Sequence, residues 1–410
     1  MTTTRAGMGT PTIAASPHRP WSVAIALACV AVAASETIVI VRNLPALREA
    51  DFLAIWAGAR AARAGLLEVA ADPLAFRTFQ ESLTGLKLDA LHPWLYPPTA
   101  LLVLWPLAFM PYGVAFAVWT AATALPYLAA LRRAFPPSRV VVLAGLASPA
   151  AFMTAVNGQT SFLAAALLGW GLLLLRQRPL WSGVLLGALA FKPQLALCVP
   201  VALVAGRHWT ALKAAAVTAA ALALLATWCF GVGAWTAFVD VQSRFAWTLM
   251  EDGRFGYHKV QSVFAAVRLA GGGIGVAMAV HAVVATAIVA SIAWIWSRRT
   301  VPHELKVAAV LSGGLGVSIY FLDYDMVAVA IAIALVVAHA LRTSWGRAEL
   351  AVVALAVVAP AVSRLVGEAT HLNVGAVSLL ALHAIVLRRG WEVAGAPAVR
   401  DGEPPVVIAT

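Results

Sequence analysis

The sequence predicts an all-α polytopic membrane protein, and three observations predict it. Hydrophobic residues make up 62% of the 410, charged residues only 11%, and the mean hydropathy is +0.86; a soluble domain has too little polar surface to cover so much apolar side chain. The apolar residues come in long runs, near the roughly twenty that a helix needs to cross a hydrocarbon core of about 30 Å. The two-residue alternation of a membrane barrel is absent, so helices are left to satisfy the backbone away from water. A chain of this length allows roughly ten to twelve spans.

The elements follow in order. Residues 1–20 are polar and rich in Thr, Ala and Pro, and read as a cytoplasmic tail. The apolar run at 21–41 has no small-residue cleavage site with a soluble domain behind it, and reads as a retained anchor. Further spans are expected at 112–131, 139–156, 160–175, 211–230, 274–297, 306–321, 324–341, 348–365 and 372–388. Two further apolar stretches, 96–110 and 180–205, are ambiguous. Residues 21–390 form one transmembrane domain, and 391–410 a second cytoplasmic tail, expected to be disordered. Only two polar interruptions, 42–95 and 231–273, are long enough to build something outside the lipid, and both are expected on the non-cytoplasmic side.

The formal charge of +11 does not point to nucleic acid, because the arginines and lysines sit in short clusters between apolar runs. Membrane topology and anionic lipid headgroups account for that pattern. Arg207 with Lys213, Arg298 with Arg299 and Lys306, Arg342 with Arg347, and Arg388 with Arg389 fall in alternate loops and mark the cytoplasmic side. Strict alternation would put Arg132, Arg133, Arg176 and Arg178 outside. Every cluster returns to the cytoplasm if 96–131 crosses once in net terms and 180–205 is a hairpin of two short halves broken at Lys192-Pro193. Asn157-Gly158-Gln159 then faces the same side as Asp51. A multi-pass protein of a bacterial-type inner membrane, with its site on the non-cytoplasmic side, is the resulting expectation.

Cys29, Cys198 and Cys229 lie in apolar runs without paired spacing, so they read as core residues rather than a disulfide or zinc framework. His281, His339 and His383 lie within spans, likewise without ligand spacing. No Rossmann glycine fingerprint or P-loop is present, and Gly271-Gly272-Gly273 opens a span instead.

Asp51 is the candidate base. It precedes Phe52 to Ala64, in which Phe52, Ile55, Trp56, Ala59 and Ala62 share one helical face, so an amphipathic interfacial helix is expected after the first span. A helix N-cap is the simpler reading of Asp51, with Gly65 as the C-terminal stop, and it does not exclude catalysis. Asn157 and Gln159 fit either a sugar-binding pair of amides or a plain turn, the turn being favoured. Lys192 lies in an apolar run before a helix-breaking proline, and an intramembrane cation is costly enough to suggest function. In the second interruption, His258 and Lys259 suit a phosphate or a solvated loop equally. Asp323 and Asp325, at the junction of two apolar runs, suit a metal, a sugar or a proton; a helix cap explains one of them.

Taken in order, Asp51-Phe52 with Trp56, Arg60 and Gly65, then Tyr96-Pro97-Pro98, Pro106-Leu107, Asn157-Gly158-Gln159, the Gly183/Gly187/Lys192-Pro193 run and Gln261-Ser262 resemble glycosyltransferase family 87. These are C-type membrane mannosyltransferases that use polyprenyl-phosphate mannose. The likeness spans roughly residues 50 to 330. It departs near Phe321 to Asp325, where relatives often show Trp, Asp and His and this chain has Asp-Tyr-Asp.

The resemblance implies a C-type glycosyltransferase fold and an inverting transfer of a hexose, mannose by family likeness, from a polyprenyl-phosphate donor to a lipid or glycan acceptor. Asp51 would be the base, and Lys192, His258 and Lys259 would meet the donor phosphate. Tyr96, Asn157, Gln159, Gln261, Asp323 and Asp325 would bind substrate. No cofactor is required, and a divalent cation at Asp323 and Asp325 is left open. The competing reading is a transporter or lipid-linked sugar flippase in which the same charges couple transport; the sequence shows no internal repeat, and most charges sit at span ends.

Overall fold

The computed structural model describes residues 49–135, 139–253 and 256–395, together with Ile38 and Arg42. The expected tail 1–20, nearly all of the anchor 21–41, and residues 396–410 lie outside the described residues. Within them the regular structure is helical, and pairing of extended backbone is confined to one isolated antiparallel bridge between Val260 and Leu322.

Among the described residues, six helices are long and apolar enough to cross a membrane: Tyr112–Ala134, Trp209–Phe230, Ile274–Ser297, Asp323–Ala340, Arg347–Thr370 and Val374–Gly395. Four shorter apolar helical stretches accompany them, Pro98–Phe109, Ser161–Leu174, Pro179–Phe191 and Pro193–Ala205. Asp323–Ala340 is central, with 78% of its apolar window buried, whereas Trp209–Phe230 buries 6% and faces outward. Cys229 rides on that outward helix and is exposed, against the expectation of a core residue; Cys198 is buried as expected. The region expected as one span at 139–156 is two helices, Arg139–Leu146 and Pro149–Asn157. Ser148 caps the second through Ala151 N, and Pro149 takes the first helical position, where its missing N–H costs nothing. The last helix runs on to Gly395, so residues 391–395 are helical where a disordered tail was expected.

The hairpin expected at Lys192-Pro193 is present. Pro179–Gly187 continues as a 3₁₀ turn over Ala188–Phe191, and Lys192 leaves the helical region at φ −144°, ψ 64°. Pro193 forces this, because its ring crowds the preceding residue out of the α conformation and it has no N–H to donate. The chain then returns through Pro193–Leu195 and Val199–Ala205. Both ends of the hairpin meet: Arg176 and Pro179 line one crevice with Arg207, His208 and Trp209. The glycines at 183 and 187 serve packing here. A Cβ on Gly183 would lie 2.3 Å from the Ala211 carbonyl oxygen, and one on Gly187 would lie 2.4 Å from that of Ala215. Small residues let the two helix backbones approach, as lipid-embedded helices require.

Basic residues gather at that end. His303 lies 2.9 Å from the Leu172 carbonyl, and Trp296 donates to Lys306 O. Glu304 pairs with Arg342 and His339, and Glu349 with Arg388 and Arg389. His383 is bonded by Ser291 and Ser312, whereas His281 meets Val317 O through Nε2 and leaves its buried Nδ1 without a partner among the described residues.

At the opposite end lie the two long interruptions, in contact with each other: Gln242 Nε2 donates to Leu95 O at 3.4 Å. The helix expected after Asp51 spans Phe52–Ala64 and stops at Gly65, which takes the left-handed conformation. It is more enclosed by protein than a surface helix. Phe52 to Ala59 are buried all round, and only the last turn opens to solvent. Trp56 and the arginines Arg60 and Arg63 hold it by donating to the Met110 and Ala108 carbonyls. A second helix, Pro73–Thr84, not foreseen from sequence, is capped by Asp72 through Leu74 N and Ala75 N.

Candidate active site

Asp51 stands at the N-cap position of Phe52–Ala64 without capping it. Its side chain makes no bond to the helix amides. The capping reading is thereby corrected, and the reason lies 108 residues along the chain: Gln159 Nε2 donates to Asp51 Oδ2 at 2.7 Å. Tyr96 in turn donates its hydroxyl to Gln159 Oε1 at 2.9 Å and lies 3.3 Å from Thr160 Oγ1. A carboxylate only accepts, so the amide nitrogen must face it and the oxygen must face Tyr96. The Tyr96–Gln159–Asp51 chain therefore fixes how the carboxylate points.

Gly158 brings Gln159 there. The helix Pro149–Asn157 ends at Gly158 with φ +59°, and a Cβ at that position would lie 2.6 Å from the Phe52 Cβ. Only glycine takes the left-handed turn and the close approach together at no steric cost. The turn reading holds for Asn157, whose Nδ2 donates back to Met153 O at 2.7 Å. Of the two amides, only Gln159 reaches Asp51.

Lys192 forms the tip of the hairpin and is 5% exposed. Its Nζ lies 2.5 Å from Asp325 Oδ1 and 3.2 Å from Ser161 Oγ, and Ser161 itself donates to the same carboxylate oxygen at 2.5 Å. The second Asp325 oxygen accepts from Leu322 N, the cap expected for one of the two aspartates. The hairpin tip, the start of Ser161–Leu174 and the turn Asp323–Ala328 are thus joined through one buried carboxylate. Thr154 adds a fourth element by donating to Tyr324 O at 3.0 Å.

Asp323 is fully buried and held by Arg364, Nε to Oδ2 at 2.6 Å and Nη2 to Oδ1 at 3.1 Å. All four oxygens of the aspartate pair are therefore already engaged. The pair does not present its carboxylates to one divalent ion, and no cluster of three or more His, Cys, Asp or Glu suited to a metal occurs among the described residues.

His258 Nε2 is 3.1 Å from Glu368 Oε1. Burial lowers the His258 pKa below the usual imidazole range; Lys259 and Arg364 also lower it, while Glu368 and Asp323 oppose the shift. Gln261 is fully buried, and its Nε2 donates to His258 O and Lys259 O while its backbone N–H donates to Phe321 O. Gln261 thereby braces the loop that carries His258 and Lys259, while its Oε1 is buried without a partner among the described residues.

Two site residues were missed in the sequence. His92 lies near Asp51 and Glu49, which raise its pKa, but burial outweighs them and lowers it overall. Arg364 lies close enough to Asp51 for their charges to interact. An arginine within the apolar run 348–365 was the available signal, since intramembrane cations are rare without a task. Tyr96, Tyr112, Tyr320 and Tyr324 also lie within electrostatic reach of Asp51. Four tyrosines and one guanidinium thus lie within electrostatic reach of the carboxylate.

Residues 94–320, more than half of the chain, match the family model of glycosyltransferase family 87. The chain belongs to glycosyltransferase family 87. It is a multi-pass membrane glycosyltransferase, acting on a sugar donor and an acceptor. No curated protein and no solved structure matches it. The matched segment carries Tyr96, Gln159, Lys192 and the His258 loop; Asp51 precedes it, and Asp323, Asp325 and Arg364 follow it. Hydrogen bonds within this glycosyltransferase tie the outlying residues to the matched core.

Proposed function

We propose that this glycosyltransferase moves a hexose, mannose by family likeness, from a polyprenyl-phosphate donor to a lipid or glycan acceptor at the outer face of a bacterial-type inner membrane, with inversion and with Asp51 as base. The observation that carries the reading is the Tyr96–Gln159–Asp51 chain. It aims a carboxylate away from its own helix, at the end of the molecule opposite the basic clusters. The positive-inside rule sets those clusters in the cytoplasm, and hence Asp51 outside.

The chemistry needs little more. A phosphate leaving group departs as a stable anion, so no acid is required to protonate it, unlike the alkoxide released in glycoside hydrolysis. Asp51 takes the proton of the acceptor hydroxyl as that oxygen attacks the anomeric carbon from the face opposite the phosphate. The four tyrosines supply hydroxyls and rings to hold the sugar, and the apolar helices beside them accommodate the prenyl chain. His258 and Lys259 stand on the donor side. Lys192 serves the fold, because its charge is spent on Asp325.

The transport reading needs intramembrane charges free to alternate between states. Lys192, Asp323 and Asp325 are each tied to a fixed partner, which supports the transferase. Purified protein supplied with polyprenyl-phosphate mannose and a panel of membrane-lipid acceptors should give mannosylated lipid, and supplied with nucleotide-linked mannose should give none. Transfer from the nucleotide sugar alone would overturn the donor assignment.

A further inference from the structure

The donor phosphate requires a cation that is accessible, oriented and near Asp51, and the geometry points to Arg364 as that residue. This inference rests on the polyprenyl-phosphate reading above. Lys192 fails the first requirement, being 5% exposed and engaged by Asp325 and Ser161. Arg364 is 35% exposed, yet its guanidinium is locked in place by two bonds to an aspartate that is itself completely buried. Those bonds use Nε and one Nη2 hydrogen, and the remaining N–H groups have no partner among the described residues. A planar guanidinium held along one edge presents its other edge as a fork of donors, the geometry that fits two phosphate oxygens.

The surroundings agree. Glu368, one helical turn beyond Arg364, holds His258 at 3.1 Å, and His258 packs against the same helix, where a Cβ on Gly367 would lie 2.9 Å from the His258 Cβ. The charges of Lys259 and Arg364 both reach His258. Arg364, His258 and Lys259 therefore form one basic group beside Asp323 and Glu368, drawn from the helix Arg347–Thr370 and the second long loop. Asp323, which holds Arg364, shares one buried turn with Asp325, and Ser161, which bonds Asp325, lies two residues from Gln159, the donor to Asp51, so the fork and the base border one region. Asp323 is a positioning residue in this arrangement: it orients the fork and does not touch the donor.

The test is binding without turnover. The full-length protein in detergent is titrated with polyprenyl phosphate and with the corresponding dephosphorylated alcohol, for wild type, Asp323→Asn, Arg364→Lys and the double variant Arg364→Gln/Asp323→Asn. The double variant keeps a hydrogen-bonded pair without a buried unpaired charge, and its melting temperature checks that it is folded. Wild type should prefer the phosphate. The double variant should bind it about tenfold to a hundredfold more weakly, as expected for lost charge-assisted hydrogen bonds, with the alcohol unaffected. Arg364→Lys should fall between, and so should Asp323→Asn, whose single amide oxygen orients the fork less firmly than the carboxylate. A folded double variant with wild-type affinity would overturn the assignment, as would an equal loss in Asp323→Asn. A wild type that does not distinguish phosphate from alcohol would remove the donor reading itself, and this inference with it.

Discussion

Asp51→Asn should leave a folded protein that has lost transfer. General-base catalysis contributes about two to four powers of ten in rate, roughly 3 to 5 kcal/mol of barrier, so initial rates of mannose transfer should fall by that factor. The melting temperature should not move, because the carboxylate caps no helix and its bond from Gln159 Nε2 can be accepted equally by an amide oxygen. This separation of activity from stability distinguishes a base from a structural cap. A cap removed from Phe52–Ala64 would cost about 1 kcal/mol of stability and leave the chemistry in place. Transfer by Asp51→Asn at wild-type rate would take Asp51 out of the mechanism.

Lys192→Met should do the opposite. It leaves Asp325 buried at 3% exposure with its cation gone, and breaking a buried pair in this way costs about 3 to 5 kcal/mol. The loss should appear as a lower melting temperature in detergent and a poorer yield of folded protein. The double variant Lys192→Met/Asp325→Leu removes the orphaned charge together with its partner and should recover most of the stability, since apolar replacements of buried pairs are often neutral or better. It should also retain polyprenyl-phosphate binding. A stable double variant that no longer binds the phosphate would return Lys192 to the donor site.

Much of the fold was legible because lipid imposes simple rules. Run length placed Tyr112–Ala134, Trp209–Phe230 and Ile274–Ser297 within a few residues of expectation, and the conflict in basic clusters required the hairpin at Lys192-Pro193. The site was legible in part. Asp51, Gln159 and Tyr96 were each found as candidates, but the bonds joining them span 63 to 108 residues, and no local pattern specifies such a pairing. The same gap hid what two other candidates hold. Lys192 looked like a free cation because its partner is 133 residues away, and Gln261 looked like a sugar ligand although the backbone it braces is adjacent. Arg364 was hidden by its position near the end of an apolar run, where a solvated span end is the ordinary explanation. The amphipathic pattern of Phe52–Ala64 does not reveal that Trp94, lying over Gly58, closes another face.

The central claim is that one carboxylate acts once, in a direct displacement. The most direct measurement is the anomeric configuration of the mannosylated product relative to the donor, read by nuclear magnetic resonance after a single turnover with polyprenyl-phosphate mannose. Inversion is the expected result, because a base that activates the acceptor allows attack only from the face opposite the phosphate. Retention would require a second nucleophile and a covalent glycosyl intermediate, and would contradict the role assigned to Asp51.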